Sequence, residues 1–244
     1  MELIGSGAQA DIYKENNIAI KLFKKNVLKH DVDYEMNLQK MAFEHGLPVP
    51  KIYDFIEIDG KYGFKMEYIN GISVGNIVLN DMNKLSEYLI KSIEIQINLN
   101  KIETNKFPSM KEKLKRKLDR IELLNMNEKQ KIFDILDKTT FKQNLCHGDF
   151  QLMNLMQTSN GIKIIDWVDS SSGNNEADVC RTYLLYKVNH DEIAELFINN
   201  YCEIADISRD NILKWIPIIA AARLSEGMGN DENEKLIKMV RENI

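Results

Sequence analysis

Residues 146–155 read Cys146-His147-Gly148-Asp149-Phe150-Gln151-Leu152-Met153-Asn154-Leu155, and in Ile164-Ile165-Asp166-Trp167 an acid stands twelve residues beyond the Asn. Between them, Leu155-Met156-Gln157 and Ile162-Lys163-Ile164-Ile165 flank Thr158-Ser159-Asn160-Gly161. Two short apolar runs around Asn-Gly predict a β-hairpin, because Asn and Gly tolerate the positive φ that a two-residue turn demands. With the turn centred on Asn160-Gly161, Leu155 is expected to face Asp166, and Asn154 to face Trp167. The Asn154 amide oxygen and the Asp166 carboxylate then meet at the open end of the hairpin. Both are hard oxygen ligands of the kind Mg²⁺ accepts, with phosphate and water filling its remaining positions. Asp149, five residues before Asn154, lies in the loop entering the same hairpin. Any one of these residues alone reads as a turn cap, but three on one hairpin end read as a site.

Around this segment the chain has ordinary bulk properties. Its 244 residues suit one large domain or two unequal lobes. Hydrophobic content of 44% and charged content of 28% are those of a soluble globular protein. The net charge of -5 gives no basic footprint, so nucleic acid is not an expected partner. The basic run at 111–120 has helical spacing and is expected as a solvated face. The longest apolar run, Trp215 to Leu224, is too short to span a bilayer, and the opening MELIGSGAQA lacks a signal-peptide pattern. Cys146, Cys180 and Cys202 have no paired spacing, which fits a reducing cytoplasm and argues against a disulfide frame or a zinc site.

Residues 1–69 read mostly as strands: Leu3-Ile4, Ile12-Tyr13, Ile18 to Phe23, Ile52 to Ile58 and Tyr62 to Tyr68, the last two joined by the turn signal Asp59-Gly60. One helix interrupts them, Val32 to His45, ended by Gly46 and Pro48. Beyond 70 the texture is helical. Asp81 is placed as the cap of a helix to about Lys101, and Ser109-x-x-Glu112 as a capping box. Further helices are expected at Glu128 to Lys138, Ala177 to Lys187, Asp191 to Cys202, Ser208 to Glu226 and Asp231 to Arg241. The division is therefore 1–69, a small β-rich lobe, and 70–244, a larger helical lobe that holds the hairpin.

Asp149-x-x-x-x-Asn154, followed by an apolar strand and Asp166, is the kinase catalytic pattern. With His147-Gly148 before it and Trp167 behind, it resembles the aminoglycoside phosphotransferase family. That resemblance implies an α+β, two-lobed protein-kinase-like fold, with an antiparallel β lobe carrying one helix and a mainly helical C-terminal lobe containing the catalytic β-hairpin. It extends over nearly the whole chain. Ile4 to Tyr13 is similar to a glycine-rich loop, with Gly5 and Gly7 letting backbone N–H groups approach phosphate and Ala10 in the third glycine position. Ile18-Ala19-Ile20-Lys21 looks like the V-A-I-K strand, which implies that Lys21 binds the α/β-phosphates. Its helix partner is taken as Glu35, eleven residues before Gly46, with Asp33 as the fallback. Met66-Glu67-Tyr68-Ile69 resembles the hinge, where backbone near Glu67 and Tyr68 would bond the purine. His147 is read as structural, and Gly148 replaces the Arg found there in most protein kinases.

The resemblance implies Asp149 as catalytic base, Asn154 and Asp166 as Mg²⁺ ligands, and ATP, or GTP, as co-substrate. Only Val168 to Ala177 separates the Asp166-Trp167 pair from Asp178-Val179-Cys180-Arg181, and no A-P-E follows, which favours a small-molecule hydroxyl acceptor over a protein. Asp178 and Arg181 are read as braces of the catalytic loop. Glu176, Glu226, Asp231 and Glu232 offer an acidic surface that would draw a cationic aminoglycoside, although each equally suits a cap or solvated face. Alternatives are a kinase for choline, homoserine or a sugar, and a nucleotide-binding module without turnover. The oligomeric state stays open between monomer and dimer.

Overall fold

β-branched runs at the front of the chain fold as strands in a computed structural model, which describes residues 1–227 and 229–244. In chain order the elements are β1 (Glu2–Ser6), β2 (Ala10–Glu15), β3 (Ile18–Phe23), α1 (Lys29–Glu44), β4 (Ile52–Ile58), β5 (Lys61–Glu67), β6 (Gly71–Ser73), α2 (Val74–Asn80), α3 (Leu85–Asn100), α4 (Met110–Asp119) and α5 (Met126–Lys138). Then come β7 (Asn144–Cys146), β8 (Leu155–Thr158), β9 (Gly161–Ile164), β10 (Ser171–Gly173), α6 (Asn175–Lys187), α7 (Asp191–Ala205), α8 (Arg209–Leu213), α9 (Ile216–Leu224) and α10 (Asn230–Glu242). The expected mixture of an antiparallel front sheet and a helical remainder is what the chain adopts. By contacts it divides into two compact units, Met1–Met82 with Leu152–Val168, and Asn83–Gln151 with Asp169–Ile244.

In the first unit five antiparallel strands run in the order β1-β2-β3-β5-β4. Asp59 and Gly60 both take positive φ, 51° and 71°, so the tight turn pairs Ile58 directly with Lys61. Val32 and Met36 of α1 pack on Ala10, Phe23, Ile52 and Phe64 to make its core. α1 stops where Gly46 turns left-handed at φ 75° and its N–H reaches back to Phe43 O at 2.9 Å. A second sheet, β6-β8-β9, contains the hairpin. Its register differs from the expected one: Leu155 pairs with Ile164, and Thr158 with Gly161. The turn is centred on Ser159-Asn160 because Gly161 alone takes the positive φ, 108°, while the Thr158 hydroxyl accepts from Asn160 N–H at 3.0 Å. Asn154 thus lies level with Ile165, whose N–H donates to Asn154 O at 3.0 Å, and Asp166 is the next residue.

The second unit is helical, with a core that includes Leu89, Ile93, Leu118, Ile132, Leu145, Val179, Leu184 and Phe197. β7 and β10 pair antiparallel, Cys146 opposite Ser171, and so hold the segment after Asp169 beside the start of the His147 loop. Three helix expectations are corrected. α2 is additional, and Asp81 closes it, donating to Ile77 O at 3.1 Å, rather than opening α3. The span from Ser208 to Glu226 is two helices, since Pro217 sits at the start of α9 where a missing N–H costs nothing. α5 begins two residues early under a full capping box, Asn125 with Glu128. No helix among the described residues is long and apolar enough to cross a membrane.

Candidate active site

Lys21 sits on the central strand β3, level with Ile12 on one side and Phe64 on the other. An ammonium in such surroundings is costly unless paired. Glu35 pairs with it from α1, and Asp166 Oδ1 stands 3.8 Å away. Helix phase places Glu35 on the buried face, while Asp31 and Glu44 are exposed and Asp33 half-buried. The Lys21 side chain is 19% exposed and Glu35 6%. Burial disfavours the Lys21 charge, but Glu35 and then Asp166 outweigh it and hold its pKa above the ordinary value. Burial pushes the Glu35 carboxyl up against the pull of Lys21.

Asp166 leaves β9 in the left-handed region, φ 65°, which Asp tolerates better than most residues. Its side chain stays 41% exposed, and Asn154 is nearly buried beside it in the ladder. Trp167 is fully buried, its indole N–H donating to Ile164 O at 3.2 Å, and anchors the turn from behind. The glycine-rich segment is the link between β1 and β2. Gly7 N–H donates to Ala10 O at 2.8 Å, the Ser6 hydroxyl to Asp11 Oδ1 at 2.6 Å, and the register shifts between Leu3 and Gly5. At the end of β5, Glu67 accepts from Lys163 Nζ at 2.6 Å. The N–H groups of Glu67 and Tyr68 are committed to Lys51 O at 2.8 Å and Asn17 O at 3.3 Å.

In the second unit the Asp149 loop is fastened from several sides. Gly148, φ 80°, packs against Asp169 O so closely that a Cβ has no room. Its N–H donates to Asp178 Oδ1 at 2.7 Å, and its carbonyl accepts from Arg181 Nε. Asp178 Oδ2 accepts from Gln96 and Asn100, each at 3.2 Å. Asp149 N–H donates to His147 Nδ1 at 3.2 Å, which places the His147 proton on Nε2, and the fully buried ring meets Phe150 edge-on. Gln151 Nε2 donates to Asp149 Oδ2 at 3.2 Å.

Sequence patterns did not single out Gln96, Asn100, Gln151 or Asp169. Lys113 and Lys117 correct the reading of 111–120 as a solvated face. Lys117 bonds Asp169 Oδ1 at 3.2 Å and Glu226 Oε1 at 2.9 Å, and Lys113 bonds Ser170 O at 3.2 Å. Arg181 clasps Glu226 with two bonds, 2.6 and 3.2 Å. Burial opposes the charge of Asp169, but Arg181, Lys117 and Lys113 hold its carboxyl well below the usual range. Glu226 is lowered likewise, by Arg181 and Lys117 against burial. Of the other acids, Glu176 pairs with Lys142 at 2.7 Å, Glu232 accepts from Asn189 at 2.7 Å, and Asp231 is exposed.

Known proteins share the fold of the chain. Among solved structures it is similar to choline kinase LicA from Streptococcus pneumoniae, with TM-score 0.65 and 18% identity over 99% of this chain and 93% of that one. It is also similar to a thermostable mutant of aminoglycoside phosphotransferase APH(4)-Ia in a ternary complex with AMP-PNP and hygromycin B, with TM-score 0.70 and 13% identity over 98% and 92%. A third is a streptomycin-ATP-APH(2")-IIa ternary complex, with TM-score 0.60 and 16% identity over 99% and 90%. These likenesses establish a two-lobed kinase-like fold. Among curated proteins, the EKC/KEOPS complex subunit BUD32 of Enterocytozoon bieneusi (strain H348) is 35% identical over 101 residues, 37% of this chain. The chain spans about half the length of that relative, 48%. The model of the phosphotransferase enzyme family (APH) matches residues 19–212. The chain belongs to that phosphotransferase enzyme family.

Proposed function

We propose that the chain moves the γ-phosphate of ATP, or GTP, to a hydroxyl of a small molecule. The observation that carries this reading is the buried Lys21–Glu35 pair with the open carboxylate of Asp166 at 3.8 Å and Asn154 beside it. A lysine held charged by one buried acid, next to an exposed acid, is poised for a polyanion. Lys21 grips the α/β-phosphates, and Glu35 fixes its position. The Gly5–Gly7 link, bare of side chains at both glycines, covers the phosphates, and backbone around Glu67 and Tyr68 receives the purine.

Asn154 and Asp166 fit Mg²⁺: both are hard oxygen donors, adjacent through the Ile165 N–H bond to Asn154 O, and Asp166 is open enough to leave positions for water and phosphate. Among the described residues no group of three or more His, Cys, Asp or Glu could hold a metal unaided, so the ion would share its ligands with the nucleotide. Bound there, it would neutralise charge on the phosphate oxygens. Asp149 accepts a hydrogen bond from the acceptor hydroxyl and takes its proton. The acceptor oxygen then bonds to the γ-phosphorus while the bond from that phosphorus to the β,γ-bridging oxygen breaks, and ADP leaves with the electron pair. Gln151 restrains the Asp149 carboxylate, and Arg181 and Asp178 hold the backbone before it.

A small acceptor is favoured because the residues after Asp166 are consumed structurally: Trp167 in the core and Ser171–Gly173 in β10. Little chain is left to form a peptide platform. The three free cysteines, two of them buried, suit a reducing compartment, and we assign the chain to the cytoplasm. Match to a complex subunit over 101 residues favours, as a second reading, a nucleotide-binding partner protein. One pair of measurements tests the proposal. Asp149→Asn is expected to lower acceptor-stimulated ADP release by roughly 10²–10⁴-fold, with nucleotide affinity little changed by titration. A variant retaining near-full turnover removes Asp149 from its role, and binding without ADP release under any acceptor selects the second reading.

A further inference from the structure

Of the acids that suit a cationic acceptor, Glu176, Glu226 and Glu232 are spent on partners within the protein, and a buried cation keeps a spare donor. Arg223 of α9 is 3% exposed. Among the described residues its Nε has no hydrogen-bond partner. Its ion-pair contact, Nη1 to Glu226 Oε2 at 3.9 Å, is beyond hydrogen-bonding reach. Glu226 is already committed to Arg181 and Lys117. The two buried guanidiniums of this cluster therefore differ. Arg181 is saturated, and against the cost of its burial Glu226 and Asp169 raise its pKa. Arg223 is lowered, by burial first and by Arg181 second, with Glu226 and Asp149 pulling the other way.

Lys113, Lys117, Arg181 and Arg223 share two ion-paired carboxylates, Asp169 and Glu226. Asp178 does not help them, being used by the Gly148 N–H, Gln96 and Asn100. Lys113 is correspondingly depressed to about 8, by burial and then, against Asp169, by Lys117 and Arg181. Lys113, Lys117 and Arg181 line a cavity of about 50 Å³ against Gly148 and Ala222, the residue before Arg223, with room for a few atoms. A buried, donor-rich guanidinium with an orphaned Nε is tolerated where a ligand completes it, and this one is joined to the Asp149 loop through Glu226 and Arg181, whose Nε donates to Gly148 O.

We propose that the acceptor alcohol carries an oxyanion, a carboxylate or a phosphate, and that Arg223 binds it so that the hydroxyl lies at Asp149. This rests on the phosphotransferase reading and narrows it: choline and polycationic aminoglycosides would bring like charge to the cluster.

Two measurements on the full chain test it. The first is calorimetric titration with inorganic phosphate and, separately, with glycerate. Saturable binding is expected, weakened at least tenfold in Arg223→Gln and partly kept in Arg223→Lys, with folding of both variants checked by circular dichroism. The second is ADP release over a panel of glycerate, other hydroxy acids, sugar phosphates, choline and streptomycin, with the anionic alcohols expected to stimulate at the lowest concentrations. No anion binding, or binding equal in both Arg223 variants, overturns the proposal. Stimulation by choline or streptomycin but by no anionic alcohol overturns it too, while leaving phosphotransfer intact. Arg223-dependent anion binding with no ADP release from any alcohol upholds the anion site and rejects turnover instead.

Discussion

Lys21 keeps its charge because two acids reach it, and they are unequal. Glu35 is buried and committed, whereas Asp166 is exposed and available to other partners. Losing Glu35 should let the ammonium drift toward Asp166. Glu35→Gln is expected to lower kcat/KM for nucleotide by about ten- to a hundredfold, roughly 1.4–2.7 kcal/mol of transition-state stabilisation. Lys21→Met should do the same, and the double variant should be little worse than either single one, because the two act as a unit. Steady-state rates with nucleotide varied decide it, and additive losses would mean that the pair is not coupled. Gly148 poses a different constraint. Its positive φ and its contact with Asp169 O leave no place for a methyl group. Gly148→Ala should cost about 1–3 kcal/mol by denaturant unfolding and displace Asp149, whose N–H and preceding carbonyl are both fixed there.

At the scale of elements, the Asn125–Glu128 box begins α5 within the second unit. Asn125→Ala should cost about 1 kcal/mol and lower the melting temperature by roughly 2–4 °C, with catalysis unchanged. Elements with a local cause were legible in the sequence. Asp59-Gly60 encodes its own turn, Gly46 and Pro48 end α1, and the apolar run around Lys21 is a strand. What failed depended on bonds that residue type and spacing do not disclose. The hairpin slipped by two residues because the Thr158 hydroxyl and Gly161 settle the turn together, which Asn-Gly alone does not disclose. The run at 111–120 shows a helix with a basic face, but not that Asp169 and Glu226 turn two of its lysines inward. Spacing left Glu35 and Asp33 both open as partners of Lys21, and only packing of α1 on the sheet buries one of them. The motif residues were readable because chemistry restricts their types. Gln96, Asn100 and Gln151 were not, since many polar side chains could donate the same bonds.

Over the whole molecule, the ionised cluster of the second unit links stability to pH. Asp169 and Glu226 are held below their ordinary values by the cations around them, in spite of burial. The folded state therefore binds these protons less readily than the unfolded chain, so the stability they contribute is present above the ordinary carboxylate range, about pH 4. It is lost as pH falls through their folded values. Asp169→Asn should make the acid limb of the stability–pH curve shallower. It should also cost about 3–5 kcal/mol at neutral pH, because Glu226 is then the one ion-paired carboxylate left in the cluster of four cations. Chemical unfolding between about pH 2 and pH 7, a window that runs from above the ordinary carboxylate range down toward the folded values, measures both, and an unchanged slope would detach the cluster from acid sensitivity. The division of the chain has a further consequence, during synthesis. The first unit draws its β8–β9 hairpin from Leu152–Val168. A nascent chain cannot finish that unit until the ribosome has delivered Val168, well after Met82 has emerged. At about 5–20 residues per second, β6 waits several seconds for β8 and β9, the other strands of its sheet. Until then the edge of β6 that later pairs with β8 would be open to chaperones.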